Sequence, residues 1–428
     1  ACCRRRRRSA KSPDMADTPS RPAYAVFAAM LAAAGLPIYI HAPKVYVDEF
    51  GVGLSAIAGV LFFLRLFDVV QDPLLGWVVH RLRAWRGPSV TLGVTLLAGA
   101  MLGLFAVTPP IAPLWWFALM MTGLFSAFSF LTICMYAQGV AAAPRLGAQG
   151  YLGLAAWRET GALLGVCAAA VAPTALDATG APYGNFALGF AVFCALGLWL
   201  MRREWTGGGT LGGAGFGAVL SDGIARRLLL VALMNAAPVA VSSTLFLFYV
   251  ESVLDAPGWE GPLLVLFFLA AAGTAPVWAR LARRHGPRPM LLAAMALAIA
   301  SFSLVLVLGR GDTLAFALIC LASGAALGAD FALLPALFAR RMEAVAPEAG
   351  AAFGLWAFVS KASLALAAVV LLPALEAAGF ESGAENSQAA LDLLTYLYAL
   401  VPCVLKLGAM AVLATTPLPE TIQDPKVA

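Results

Sequence analysis

The sequence predicts an all-α polytopic membrane protein, with twelve transmembrane helices in two pseudo-symmetric six-helix halves. Three observations predict it. Hydrophobic residues make up 61% of the chain and charged residues 12%, where a soluble protein carries about 25% charged residues. Twelve apolar runs can be marked, near 23–47, 54–80, 89–108, 113–142, 149–174, 184–201, 226–252, 262–282, 289–308, 313–339, 350–375 and 392–415. Most approach or exceed the ~20 residues that cross a bilayer. The connections between the runs alternate in charge. Arg81, Arg83, Arg86, Arg145, Arg202, Arg203, Arg226, Arg227, Arg280, Arg283, Arg284, Arg288, Arg340 and Arg341 lie on one set. The other set holds Asp48, Glu49, Asp177, Asp255, Glu260, Asp312, Glu376, Glu381 and Glu385, with Arg310 as almost its only cation. The positive-inside rule then places both termini in the cytoplasm of a multi-pass inner-membrane protein.

Residues 1–22 read as a disordered basic tail. Arg4 to Arg8 form a cluster, and Met15 is the first methionine. We read the segment before Met15 as upstream of the true start. A cluster of this kind can also bind anionic lipid or nucleic acid. No nucleic-acid partner is expected of the rest of the chain. The seven cysteines are scattered, mostly in apolar runs, without the spacing of a zinc site or a disulfide framework.

Residues 23–203 form the N-terminal half. Its first run holds Pro37 and Pro43 and is too long for a signal segment. His41 and Lys44 near its outer end read as rim residues. The second run carries the feature that decides function. Arg65, Asp68 and Asp72 are three, four and seven apart, so a helix places them on one stripe within roughly 60°. A charge at mid-membrane costs about 2.5–3.5 kcal/mol even on the lenient insertion scale. Three charges are retained there only if they face a polar cavity or each other. One arginine cannot neutralise two aspartates, so the pattern favours a cation site; the alternative is an ion pair that locks two helices. The fifth run holds Arg158 and Glu159 in its middle. Adjacent residues point about 100° apart, so each is expected to find its partner on another helix. Trp115, Trp116 and Trp259 read as interfacial anchors.

Residues 204–224 read as a Gly-rich cytoplasmic linker. Gly207, Gly209 and Gly212 match G-x-G-x-x-G, but no strand precedes them and no βαβ unit surrounds them, so a nucleotide site is set aside. Residues 225–416 form the C-terminal half, and 417–428 a cytoplasmic tail. The halves echo each other. Leu61-Phe62-Phe63-Leu64, then Arg81-Leu82 and Gly87-Pro88, correspond to Leu266-Phe267-Phe268-Leu269, then Arg280-Leu281 and Gly286-Pro287. The carboxylates are not echoed, since Ala270 to Ala275 carry no charge. They are therefore not needed to build the repeat. Asp330 and Lys361 are the buried charges of the second half. Arg158 and Lys361 could hold a ligand across the halves, Arg through its fork and Lys as a point charge, or could form a packing bridge to Asp330. For Glu159 and Asp330 a structural role is the simpler reading.

Arg65-x-x-Asp68-x-x-x-Asp72-Pro73-x-x-Gly76, followed by a short basic loop, resembles the second helix of the glycoside–pentoside–hexuronide cation symporters of the major facilitator superfamily. The likeness runs from about Pro22 to Pro417 and includes Tyr136-Ala137-x-Gly139, Arg158, Gly328-Ala329-Asp330 with Pro335, and Lys361. The resemblance implies the major facilitator fold and a coupling cation, sodium or a proton, at Asp68 and Asp72 with Ser129 and Thr132 as helpers. It implies a small-molecule substrate at Arg158, Lys361, Tyr136 and Phe331, and Arg65, Glu159 and Asp330 in a charge network. The sequence departs from the family pattern in three places. The first helix has no carboxylate between Tyr24 and Val47, Thr132 stands where an aspartate would serve sugar and cation, and His80 replaces the acid of the loop motif.

The expectation is therefore a monomeric secondary transporter without cofactor, coupling a cation gradient to a small polar solute such as a sugar, glycoside or sugar acid. An exporter or carrier of lipid-like substrates on the same scaffold is the rival within transport. A membrane enzyme or sensor is the rival outside it, but the sequence contains neither H-E-x-x-H nor G-x-S-x-G.

Overall fold

The chain is seen in a computed structural model. It describes residues 19–147, 150–176, 179–205, 216–256, 258–346, 349–380 and 386–418. Within the helices it describes every side chain except those at 36–41, 44, 48, 54, 55, 58, 65, 69, 174, 364, 365, 368, 369 and 372. The Arg4–Arg8 cluster, the linker glycines and the side chains of Arg65, His41 and Lys44 thus lie outside the described residues.

Among the described residues there are twelve long α-helices and one short one. They are α1 (Arg21–Asp48), α2 (Leu54–Arg81), α3 (Arg86–Phe105), α4 (Pro113–Ala142), α5 (Gly150–Ala175), α6 (Pro182–Met201), α7 (Phe216–Ser221), α8 (Gly223–Phe248), α9 (Glu260–His285), α10 (Pro287–Ser303), α11 (Thr313–Val345), α12 (Gly350–Ala377) and α13 (Gln388–Thr415). Nine of the described helices are long and apolar enough to cross a membrane. The other three long ones, α1, α2 and α12, include undescribed side chains. Many large apolar residues face outward, among them Leu92, Trp115, Val192 and Leu314, as lipid contact requires.

The termini follow local chemistry. Proline opens α4, α6 and α10, where its missing N–H costs nothing. Asp222 caps α8 by accepting from the Ala225 N–H at 2.7 Å. Hydrogen bonds from Arg341 hold the same Asp222 carboxyl below its ordinary range. Gly286, at φ 87°, makes the tight turn from α9 into α10.

Three details differ from the sequence expectation. α11 continues to Val345, so Arg340 and Arg341 are helical rather than loop. The stretch Ala339–Val345 contains no breaker and is rich in helix formers. α7 lies within the segment read as linker. Glu204, at the start of that segment, is tied down: its carboxylate accepts from the Ser20 N–H and its carbonyl from Gln138.

Helices touch closely where small residues allow it. An added Cβ at Gly161 or Gly165 of α5 would lie 2.1 and 2.3 Å from the carbonyls of Ala25 and Ala29 on α1. The halves meet through α2 on α12, α4 on α12 and α5 on α9 and α11. At the basic-loop end the α2–α12 seam is made of glycines. A Cβ at Gly354 would lie 2.9 Å from the Asp72 carbonyl and 2.9 Å from the Gly76 Cα. Tyr151 of α5 donates to Glu343 of α11 at 2.8 Å on the same end. The two halves are thus packed shut at the basic-loop end.

Candidate transport site

A helix turn separates Asp68 from Asp72, and both side chains are buried, at 4% and 0% exposure. They share one counter-charge. The Lys361 ammonium of α12 lies 2.9 Å from Asp68 Oδ2 and 3.1 Å from Asp72 Oδ2. It donates to Asp72 Oδ1 at 3.1 Å and to Ser129 Oγ of α4 at 2.5 Å. A polar chain continues from the carboxylates. Gln71 donates to Asp68 Oδ1 at 2.5 Å, and Ser126 of α4 donates to Gln71 Oε1 at 2.9 Å. In this buried place Thr132 Oγ1 has no hydrogen-bond partner, and Asp72 Oδ2 is approached by the Lys361 ammonium alone among the described groups. Buried acceptors of this kind are expensive unless a donor or cation reaches them. Asp72 is followed by Pro73 inside the helix, which withholds one N–H from the backbone ladder.

A second cluster sits on α5. Arg158 Nε donates to Glu159 Oε1 at 2.8 Å, and the Arg158 NH2 lies 2.7 Å from the same oxygen. The expectation that these neighbours cannot pair is therefore corrected. The arginine is long enough to fold back across the 100° between them. Tyr136 of α4 supplies the surface over which it does so. The guanidinium carbon lies 3.7 Å from the ring centroid, and the Tyr136 hydroxyl donates to Glu159 Oε1 at 3.0 Å. The Tyr136 ring also packs, tilted, against Phe353 of α12 at 4.9 Å between centroids, so this cluster too reaches the other half. Tyr24 of α1 is fully buried with an unpartnered hydroxyl.

The third cluster lies within the C-terminal half. Asp330 of α11 pairs with Lys406 of α13, and Lys406 donates to Asn235 of α8 at 2.6 Å. Sequence reading gave Asp330 to Arg158 or Lys361; the structure corrects both. Lys406 lies in a long apolar run, where a lone cation is itself a signal, but its pairing with Asp330 shows only in three dimensions. Beside this pair, Phe331 lines a cavity of about 100 Å³ with Phe267, Phe268, Phe302 and Tyr398. Phe331 is thus placed apart from Arg158 and from the two helix-2 carboxylates in the contacts it makes. Among the described residues no group of three or more His, Cys, Asp or Glu could hold a metal ion.

The family model described as MFS/sugar transport protein matches residues 23–420. The chain belongs to the MFS/sugar transport protein family. Membership makes it a membrane transporter rather than an enzyme. Solved MFS structures share its fold. A bacterial homologue of the iron transporter ferroportin in an outward-facing state has a TM-score of 0.69 at 16% identity, over 92% of this chain and 99% of that one. The human organic anion transporter MFSD10 (TETRAN) has a TM-score of 0.63 at 16% identity, over 94% of this chain and 100% of that one. No curated protein matches the chain in sequence. Within this MFS transporter, residues that sequence reading missed complete each cluster. Gln71 extends the α2 stripe by one helical position and was legible in principle as a polar residue in an apolar run. Ser126 lies about one turn before Ser129 and nearly two before Thr132. Lys406 and Asn235 sit on helices that gave no charge pattern.

Proposed function

We propose that the protein is a cation-coupled symporter of a small polar solute, of the melibiose-permease-like kind, working by alternating access. The observation that carries the reading is the division of one ion cluster between the halves. Asp68, Asp72 and Ser129 belong to the N-terminal half, residues 23–203, while Lys361 belongs to the C-terminal half, residues 225–416. Among the described side chains two carboxylates share one ammonium, and Arg65 of the same stripe lies outside them. An unmatched buried charge is costly. A sodium ion or a proton at Asp72 would take the place of Lys361 as its counter-charge. Sodium would take oxygens from Asp68, Asp72 and the hydroxyls of Ser129 and Thr132, since hard cations prefer oxygen; a proton needs only one carboxylate. A cation bound there competes with Lys361 and so weakens a bridge between the halves. Ion occupancy is thereby linked to their rocking, and by linkage the solute strengthens ion binding.

Arg158, Glu159, Tyr136 and Tyr24 offer donors, acceptors and an aromatic face to a hydroxyl-rich or acidic solute. On this reading Lys361 acts first as the counter-charge of the cation site. Both termini are cytoplasmic, and the carrier works as a monomer in the inner membrane. A second reading is favoured by one feature. The Phe331 cavity is almost wholly aromatic and aliphatic, which suits an apolar or lipid-like substrate.

The test is active uptake beside counterflow in the same vesicles, over sugars, glycosides and organic acids in sodium and in potassium buffer. Asp68→Asn and Asp72→Asn abolish accumulation but leave some counterflow. If both variants still concentrate solute as the parent does, the cluster is only a lock between helices.

A further inference from the structure

The basic-loop end of the α5–α9 seam holds a cavity of about 450 Å³ that none of the clusters above uses. It is lined by Arg21 of α1, by Gly153, Trp157 and Thr160 of α5, and by Arg280 and Arg283 of α9. The cavity therefore straddles the two halves. Arg21 lies flat across α5, where a Cβ on Gly153 would stand 3.5 Å from its guanidinium carbon. The Arg21 Nε is buried and has no hydrogen-bond partner. Arg283 feels the like charges of both Arg280 and Arg21. Among the described residues none of the three forms a salt bridge.

Three guanidiniums around one space repel one another, and an anion that joins them removes that repulsion. Arginine forks match the oxygens of a phosphate group. Basic pockets between transmembrane helices at the cytoplasmic side suit lipid head groups. Trp157, 46% exposed at the rim, has the amphipathic ring that settles at that depth. We propose that this cavity binds a phosphate-bearing anion, the head group of an anionic phospholipid from the adjoining leaflet. Its ligands come from both halves, so an occupied site clamps the basic-loop end shut. Emptying it favours opening there. This does not depend on which solute or ion is carried.

The experiment measures binding and thermal stabilisation of the purified full chain in detergent. The additives are phosphatidylglycerol, phosphatidylcholine and inorganic phosphate. Phosphatidylglycerol raises the melting temperature and phosphatidylcholine does not. Arg280→Gln lowers the phosphatidylglycerol affinity roughly fivefold, and Arg280→Gln with Arg283→Gln roughly thirtyfold. Melting without added lipid stays near that of the parent. Arg280 is exposed, so the single variant reports even if the double one misfolds. Equal stabilisation by inorganic phosphate supports the phosphate site and identifies the free anion as its occupant. Equal stabilisation by both lipids, or variants that keep the full phosphatidylglycerol effect, overturns the proposal.

Discussion

Lys406 and Asp330 are 4% exposed each, and neither can be removed alone without leaving a bare charge. Lys406→Met should cost about 3–5 kcal/mol, read as a fall in melting temperature in detergent. The double variant Asp330→Leu, Lys406→Met should recover most of that loss, because a well-packed apolar pair can replace a buried ion pair. If the double variant melts no higher than the single one, Asn235 and its neighbours need the charges for more than mutual neutralisation. The same scale shows what the sequence reveals and what it hides. Asp68 and Asp72 were legible because helical spacing puts two acids on one face of an apolar run. Their partner Lys361 was legible as a buried cation, but its assignment was not, because α2 and α12 are 289 positions apart at the contact. The Arg158–Glu159 pair was misread because spacing describes Cβ directions and not the reach of a long side chain.

Among the elements, α2 and α12 are held at backbone distance by Gly76, Gly350 and Gly354. Gly354→Ala places a methyl where the Asp72 carbonyl and Gly76 now lie, 2.9 Å away. The helices must part by a few tenths of an ångström or more. We expect this variant to favour the state open at the basic-loop end. A cysteine pair across the seam should then crosslink several-fold more slowly than in the parent; an unchanged rate would mean that the seam absorbs the methyl. The helix limits were mostly legible, because apolar length and flanking charges mark them. α7 and the last turn of α11 were not, since six residues of weak pattern or a pair of arginines look like loop in one dimension.

Over the whole molecule, the twelve long helices match the twelve apolar runs, and the fold follows from composition and repetition. The sidedness follows from arginine placement and has its own test. A cysteine at Arg310, between α10 and α11, should react with a membrane-impermeant reagent from outside intact cells. One at Arg284, at the end of α9, should not. The reverse pattern would invert the topology. Which half supplies which ligand was not legible, because that depends on how the two six-helix units face one another.

Because Lys361 rides on one half and its carboxylates on the other, separating them moves a charge relative to the membrane field. Membrane voltage acts on such a displacement at about 2.3 kcal/mol per elementary charge and 100 mV for a full crossing. Even a partial movement makes one step of the cycle voltage-sensitive without any solute present. Proteoliposomes on a solid support should give a transient current on a cation jump alone, and Lys361→Gln should change its size or sign. A variant with the parent's transient would show that Lys361 stays with Asp68 and Asp72 throughout the cycle, and that the electrical work is done by the arriving ion.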